Sequence, residues 1–246
     1  MQAQPIYMFH AIGSGRLLDG ADPHYAYSIS NFGELISLLN GGTSLKNALK
    51  GNNNQAILTF DDGHVSNYEA ARILKEEFNS TADFFINTST IGSKNFLSWQ
   101  QVKDMHSWGM SIQSHGHEHK YLSDMSRDEQ QVQLKRCKEL IEDQISDSVT
   151  IMAPPGGRYN QDTLDLVNDL GYEHISISKP GRWSGANCSP RIPVYANSKA
   201  DVLATCKNRF SPYLIKQIIK YQTTGLAKSL LGNESYDSLR SKILGV

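Results

Sequence analysis

Gln55-Ala56-Ile57-Leu58-Thr59-Phe60-Asp61-Asp62-Gly63-His64 carries a largely apolar run straight into two carboxylates and a glycine. A short apolar run bounded by turn residues has the character of a strand buried on both faces. Asp-Gly is a turn signal, so the strand ends at Phe60. Outward from this point, similar short runs fall at 6–9, 82–86, 110–113, 150–152 and 173–178. Between them lie stretches of helical spacing at 32–39, 67–78, 99–108, 127–145 and 161–170, and Gly171 stands where a helix C-cap glycine belongs. Strand followed by helix, repeated, predicts parallel strands joined by crossover helices. A barrel and an open sheet both satisfy that order. Asp61-Asp62, His115 to His119 and Pro154 to Gly157 each follow the C-terminal end of a predicted strand. In a closed barrel those ends converge on one face, where active sites are built, whereas an open sheet spreads them along a line. The α/β barrel is therefore the expected fold class.

The chain has 246 residues, enough for one large α/β domain or two small ones. Hydrophobic residues make up 39% and charged residues 20%, so a sizeable core needs no disulfide staple. The net charge of −1 gives no electrostatic reason to expect a nucleic-acid partner. Cys137, Cys188 and Cys206 are odd in number and widely spaced, which argues against a disulfide framework or a cysteine zinc site. The start, MQAQPIYMFHAIG, lacks the features of a signal peptide, and no run approaches the roughly 18 apolar residues of a membrane span. The sequence as written is expected to be cytoplasmic; its oligomeric state is not legible.

Three stretches carry chemistry. In Asp61-Asp62, one carboxylate can bind a metal while the other acts as a base, and a cation would relieve their repulsion; a plain polar turn is the alternative. In Ser114-His115-Gly116-His117-Glu118-His119, three of the eight histidines fall within five residues. His115 and His119 stand at i and i+4, on one face if the segment turns helically. Imidazole is a preferred zinc ligand. A zincin motif beginning at His117 fails, because position 121 is Tyr121. In Ala153-Pro154-Pro155-Gly156-Gly157-Arg158, prolines and glycines fix a backbone path that could present N–H groups to an oxyanion. One carboxylate and two imidazoles leave room for water, the pattern of a catalytic zinc site, and the same set could hold cobalt, nickel or iron.

These residues resemble the polysaccharide deacetylases, also called the NodB homology domain or carbohydrate esterase family 4. Thr59-Phe60-Asp61-Asp62-Gly63 looks like that family's first motif and His115 to His119 its second, with Leu97-Ser98-Trp99 and Leu122 as fitting flanks. Ala153 to Gly157 occupies the place of the third motif. Met8-Phe9-His10 resembles the family's first strand, and Pro190-Arg191-Ile192-Pro193-Val194 a late one. The resemblance spans roughly residues 5–200. It implies a distorted (β/α) barrel with fewer than eight regular strands. It implies Asp61 as catalytic base, Asp62, His115 and His119 as ligands of a divalent metal, most simply zinc, and the Gly156 N–H as an oxyanion donor. The implied substrate is an N-acetylated amino sugar, often in a polymer. Other readings are a deacylase or deformylase of another small N-acyl sugar, and a metal- and carbohydrate-binding pseudoenzyme.

Two departures stand out. The third motif usually opens with arginine, where this chain has Ala153; Arg158 or Arg191 could reach in from elsewhere, and Arg191 is preferred. The family's late histidine, its general acid, has no counterpart after His174. His10 is the first candidate to replace it, with His64, His117 or a metal-bound water as alternatives.

The expected division is a catalytic barrel over 1–205 and a helical extension over 206–246 packed on it. Lys207, Arg209, Lys216, Lys220 and Lys228 bring positive charge to a stretch without an acid. Leu214, Ile215, Ile218 and Ile219 form an apolar stripe with Lys216 and Lys220 opposite. A helix packed on the barrel is preferred over a membrane-surface helix across 207–231. Leu231-Gly232 to Tyr236, with Leu239-Arg240, is similar to endings of deacetylases of bacterial exopolysaccharide synthesis.

Overall fold

A computed structural model of the chain describes residues 3–51 and 54–231, with side chains in the last helix described up to residue 224; residues 232–246, and with them the exopolysaccharide-type ending, lie outside it. The chain begins with β1 (Gln4–Phe9), a small parallel pair β2 (Ala11–Gly13) and β3 (Ala26–Ser28), α1 (Ile29–Leu39) and α2 (Leu45–Lys50). Strand and helix then alternate through β4 (Ile57–Phe60), α3 (Ser66–Phe78), β5 (Asp83–Ile86), α4 (Trp99–Ser107), β6 (Ser111–Ser114) and α5 (Arg127–Ile145). The alternation continues with β7 (Ile151–Met152), α6 (Gln161–Asp169) and β8 (His174–Ile177). Three short strands, β9 (Arg182–Trp183), β10 (Cys188–Pro190) and β11 (Ile192–Pro193), precede α7 (Ala200–Ala204) and α8 (Pro212–Leu231).

The main sheet runs β10-β8-β7-β6-β5-β4-β1-β11, all parallel, with β9 added antiparallel to β1. Its two outermost strands, β10 and β11, are consecutive in the chain and separated only by Arg191. One residue thus carries the chain from one edge of the sheet to the other, and the sheet curls into a nearly closed barrel. Arg191 N–H donates to Lys179 O at 3.0 Å, just past the paired ends of β8 and β10.

Alternation along the strands separates two cores. Ile6, Ile57, Phe85, Ile151 and Ala153 face the barrel interior with Trp183, and Leu45 and Ala48 of α2 plug its lower end. Tyr7, Phe9, Leu58, Phe60, Phe84 and Met152 face outward beneath the helices. Phe9, Phe60 and Phe84 stack across three neighbouring strands at centroid distances of 5.1 and 4.6 Å.

Most helix starts have a local cause. Ser98 and Ser126 cap α4 and α5 in capping boxes with Gln101 and Glu129. The expected stripe on α8 is split by packing: Leu214 is buried and Ile218 packs on the core, while Ile215 and Ile219 point outward. Tyr213 anchors the helix to the barrel by donating to Pro193 O at 2.9 Å. The three cysteines are free, and no described helix is long and apolar enough to cross a membrane.

Candidate metal centre and active site

Ile57, Thr59 and Asp61 share one phase of β4, so the strand's alternation sends Asp61 into the barrel mouth. There it meets Arg191. Nη1 donates to Asp61 Oδ1 at 2.6 Å and Nη2 to Oδ2 at 2.9 Å, a bidentate pair in which Arg191 is fully buried and Asp61 nearly so. Burial pushes the Asp61 carboxyl up, but the Arg191 guanidinium outweighs it, helped by His115 and His10, and holds it below the usual carboxylate range. Arg191 also donates to Thr59 Oγ1 at 3.4 Å. Of the two arginines considered, it is Arg191 that reaches Asp61. Arg158 lies instead over the ring of Tyr121, 4.3 Å from its centroid.

Asp62 would face the other way on a straight strand. Its φ of 73° turns the chain left-handed, and its carboxylate swings over the barrel rim to the histidine loop. The two carboxylates therefore do not share one direction, and Arg191 supplies a countercharge to Asp61, as preferred from the sequence.

Asp62 Oδ1 lies 3.3 Å from His115 Nε2 and 3.2 Å from His119 Nε2, and one ligand atom from each residue falls within 4.8 Å of the other two. Burial raises the Asp62 carboxyl, and the facing imidazoles hold it well below the usual range. Even so, Oδ1 is a buried oxygen with no hydrogen-bond partner. His115 Nδ1 faces Ala153 O at 2.7 Å. A carbonyl only accepts, so Nδ1 carries a proton, and Nε2 is the ring nitrogen turned toward Asp62. One carboxylate oxygen and two ring nitrogens converging on a common point form a donor set that fits a divalent cation.

The histidine segment is a loop, not a helical turn. Gly116, at φ 80°, breaks the turn, and the i, i+4 spacing works through the loop's path instead. The loop is fastened on several sides. Asn87 Nδ2 donates to His115 O at 2.6 Å, Ser89 N–H to His117 O at 3.0 Å, and Glu118 N–H to Gln133 Oε1 at 2.7 Å.

The third loop packs beside it: a Cβ at Gly116 would sit 3.7 Å from Pro155. Gly156 has φ 60°, and a Cβ there would meet the Tyr121 ring at 2.5 Å, so only glycine fits. The turn's own hydrogen bonds are made by the Gly157 and Arg158 N–H groups, at 2.9 and 3.2 Å.

His10 follows β1 at the barrel mouth, stacked on Tyr25 at 4.2 Å; its charge is felt by both Asp61 and Asp62, and its buried Nδ1 has no partner. The other histidines suggested as proton donors are otherwise engaged. His64 Nδ1 pairs with Ser66 Oγ at 2.8 Å and Nε2 with Asp19 O at 3.0 Å, while His117 Nδ1 pairs with Thr88 Oγ1 at 2.7 Å. Tyr121 carries no sequence signal of a role here, yet its ring packs against Gly156 and under Arg158.

A parallel barrel with a carboxylate and two imidazoles converging at its strand ends, beside an arginine-held aspartate, defines a class of barrel protein with a potential metal centre at its mouth. The chain belongs to the polysaccharide deacetylase family, whose sequence profile matches residues 49–175. It is 29% identical over 181 residues to YxkH of Bacillus subtilis (strain 168), whose name places it in the same family; the match covers 72% of this chain and 65% of that relative. The deacetylase PplD of Streptococcus pyogenes, solved in complex with acetate, shares the fold at a TM-score of 0.76 and 26% identity, over 84% of this chain and 98% of PplD. A polysaccharide deacetylase of Bacillus cereus superposes at 0.76 with 21% identity, over 84% of this chain and 69% of that one.

Proposed function

We infer that the protein is a hydrolase of carbon–nitrogen bonds that removes N-acetyl groups from amino sugars of a polysaccharide or lipid-linked glycan. The observation that carries this reading is the convergence of Asp62, His115 and His119 beside an Asp61 already neutralised by Arg191. Zinc suits this donor set best, and cobalt, nickel or iron would also fit. When bound, such a cation lowers the pKa of water from about 15.7 toward 7 and polarises the acyl carbonyl.

The chain's own residues supply the rest. Asp61 takes the proton of the attacking water. Arg191 occupies one lone pair on each Asp61 oxygen, which keeps the group ionised and fixed in direction while another lone pair stays available. The Gly156 N–H serves as the protein donor to the developing oxyanion, a role worth about 3–4 kcal/mol in other enzymes. As the water oxygen bonds to the acyl carbon, the C–N bond breaks and the amine takes a proton, for which His10 is the candidate donor. Acetate, the ligand of PplD in its complex, is the acid such a reaction releases.

The test is acetate release from N-acetylglucosamine oligomers with added zinc or cobalt, wild type against Asp61→Asn. Release by wild type alone is expected. Formate release from N-formyl sugars in its place would shift the reading to a deformylase. No release from any acylated sugar would leave a carbohydrate-binding protein without turnover.

A further inference from the structure

We propose that the outward face of α8, with the segment leading into it, docks on an anionic lipid bilayer. Phe210, Ile219 and Ile215 are 65%, 55% and 43% exposed, and the two isoleucines stand at i and i+4 on one face of the helix. Large apolar side chains grouped in this way need a reason to face solvent. The same spacing continues in the sequence at Leu226 and Leu230.

Charge selects the occupant. Between residues 202 and 233 there are five basic residues and no acidic one, while the rest of the chain has 19 basic against 25 acidic residues. Apolar side chains flanked by lysines match a bilayer's two layers. The isoleucines and Phe210 enter the acyl boundary, while exposed Lys216 lies along the helix and holds its ammonium group at the phosphates. A second copy fits poorly, because it would bring two cationic faces together.

The face also lies near the catalytic centre. Lys220 Nζ sits 4.7 Å over the Tyr195 ring, Tyr195 is 5.4 Å from Tyr25, and Tyr25 stacks on His10. Docking would bring the barrel mouth beside the lipid surface, where a membrane-bound glycan is presented. That last step rests on the hydrolase reading; the docking face does not.

The test is co-sedimentation of the full chain with vesicles of phosphatidylcholine alone or with about one third phosphatidylglycerol, at low and high salt. The chain is expected to partition onto the anionic vesicles at least tenfold more strongly than onto neutral ones, and high salt should weaken this. Ile215→Ser with Ile219→Ser, and separately Arg209→Glu with Lys216→Glu, should each reduce binding about tenfold with unchanged circular dichroism, since all four positions are exposed. Wild type that stays in solution, or paired variants that bind as wild type does, would overturn the proposal. So would an isoleucine variant that turns a dimer into a monomer without altering vesicle binding. Asp61→Asn should bind vesicles normally while releasing no acetate, so a failure of the hydrolase reading is seen separately from a failure of docking.

Discussion

Asp61 and Asp62 are neighbours in sequence and opposites in circumstance. Asp61 meets its countercharge inside the chain, in a buried bidentate pair with Arg191. Asp62 meets two imidazoles and keeps a buried oxygen without a hydrogen bond. One carboxylate is complete as the protein folds; the other would be completed by the cation proposed for it. Each residue can therefore be disturbed without the other, and that separates metal binding from base chemistry. His115→Ala attacks the incomplete side and should have the largest effect. Bound metal, measured by elemental analysis, should fall from about one ion per chain to nearly none, and turnover by roughly a thousandfold or more. Chelation of wild type should do the same and be reversed by zinc; the variant should not recover. A His115→Ala protein that keeps its metal and its rate would remove His115 from the centre.

Arg191→Met attacks the complete side. It leaves a buried carboxylate without its partner, so unfolding in urea should show a loss of about 3–5 kcal/mol. Metal content should stay near wild type. Pairing Arg191→Met with Asp61→Asn should recover part of the stability, because the stranded charge goes with its partner. Loss of metal in folded Arg191→Met protein would mean that the two carboxylates are not independent.

This contrast explains what could be read from the sequence. The order of strands was legible because 57–60, 82–86 and 110–113 are apolar runs of the kind a doubly buried strand requires. The metal set was legible because three histidines and two aspartates crowd two short segments. The reach of Arg191 was legible only as one of two options, since it spans 130 residues and depends on a seam between two-residue and three-residue strands. Such strands are held by their neighbours and leave little pattern of their own. The direction of Asp62 depends on one positive φ, hinted at only by the following glycine. The helical geometry suggested for His115 and His119 was undone by Gly116. The pair β2 and β3 has no periodicity long enough to detect.

A third group lies near enough for its charge to act on both carboxylates without belonging to either arrangement. His10 faces Asp61 and Asp62 through their charges and is the candidate donor to the leaving amine. His10→Gln should lower kcat about a hundredfold while leaving metal content and unfolding midpoint near wild type. The loss should be smaller for substrates whose leaving amine is less basic, because they need less help from an acid. An equal loss for all leaving groups would assign His10 a packing role against Tyr25 instead.

His174 sharpens the comparison from outside the site. Like His115 it is a buried histidine, but both its ring nitrogens lack hydrogen-bond partners and its ring meets the edge of Trp183 at 84°. No acid faces it, and burial alone pushes its pKa down to about 4. The unfolded chain, with an ordinary value near 6.5, binds a proton that the folded chain refuses. The contribution of His174 to stability is thus complete above about pH 6.5 and is lost as the pH falls toward 4. Between pH 7 and pH 5 the loss attributable to this residue is about 2 kcal/mol. His174→Leu should flatten that part of the stability curve in urea titrations at stepped pH and leave metal content untouched. If the slope survives the substitution, the proton is taken up elsewhere. If it disappears, the two histidines differ as their surroundings require: His174 is buried with no partner for either ring nitrogen, whereas His115 sets one nitrogen against a carbonyl and the other against a carboxylate.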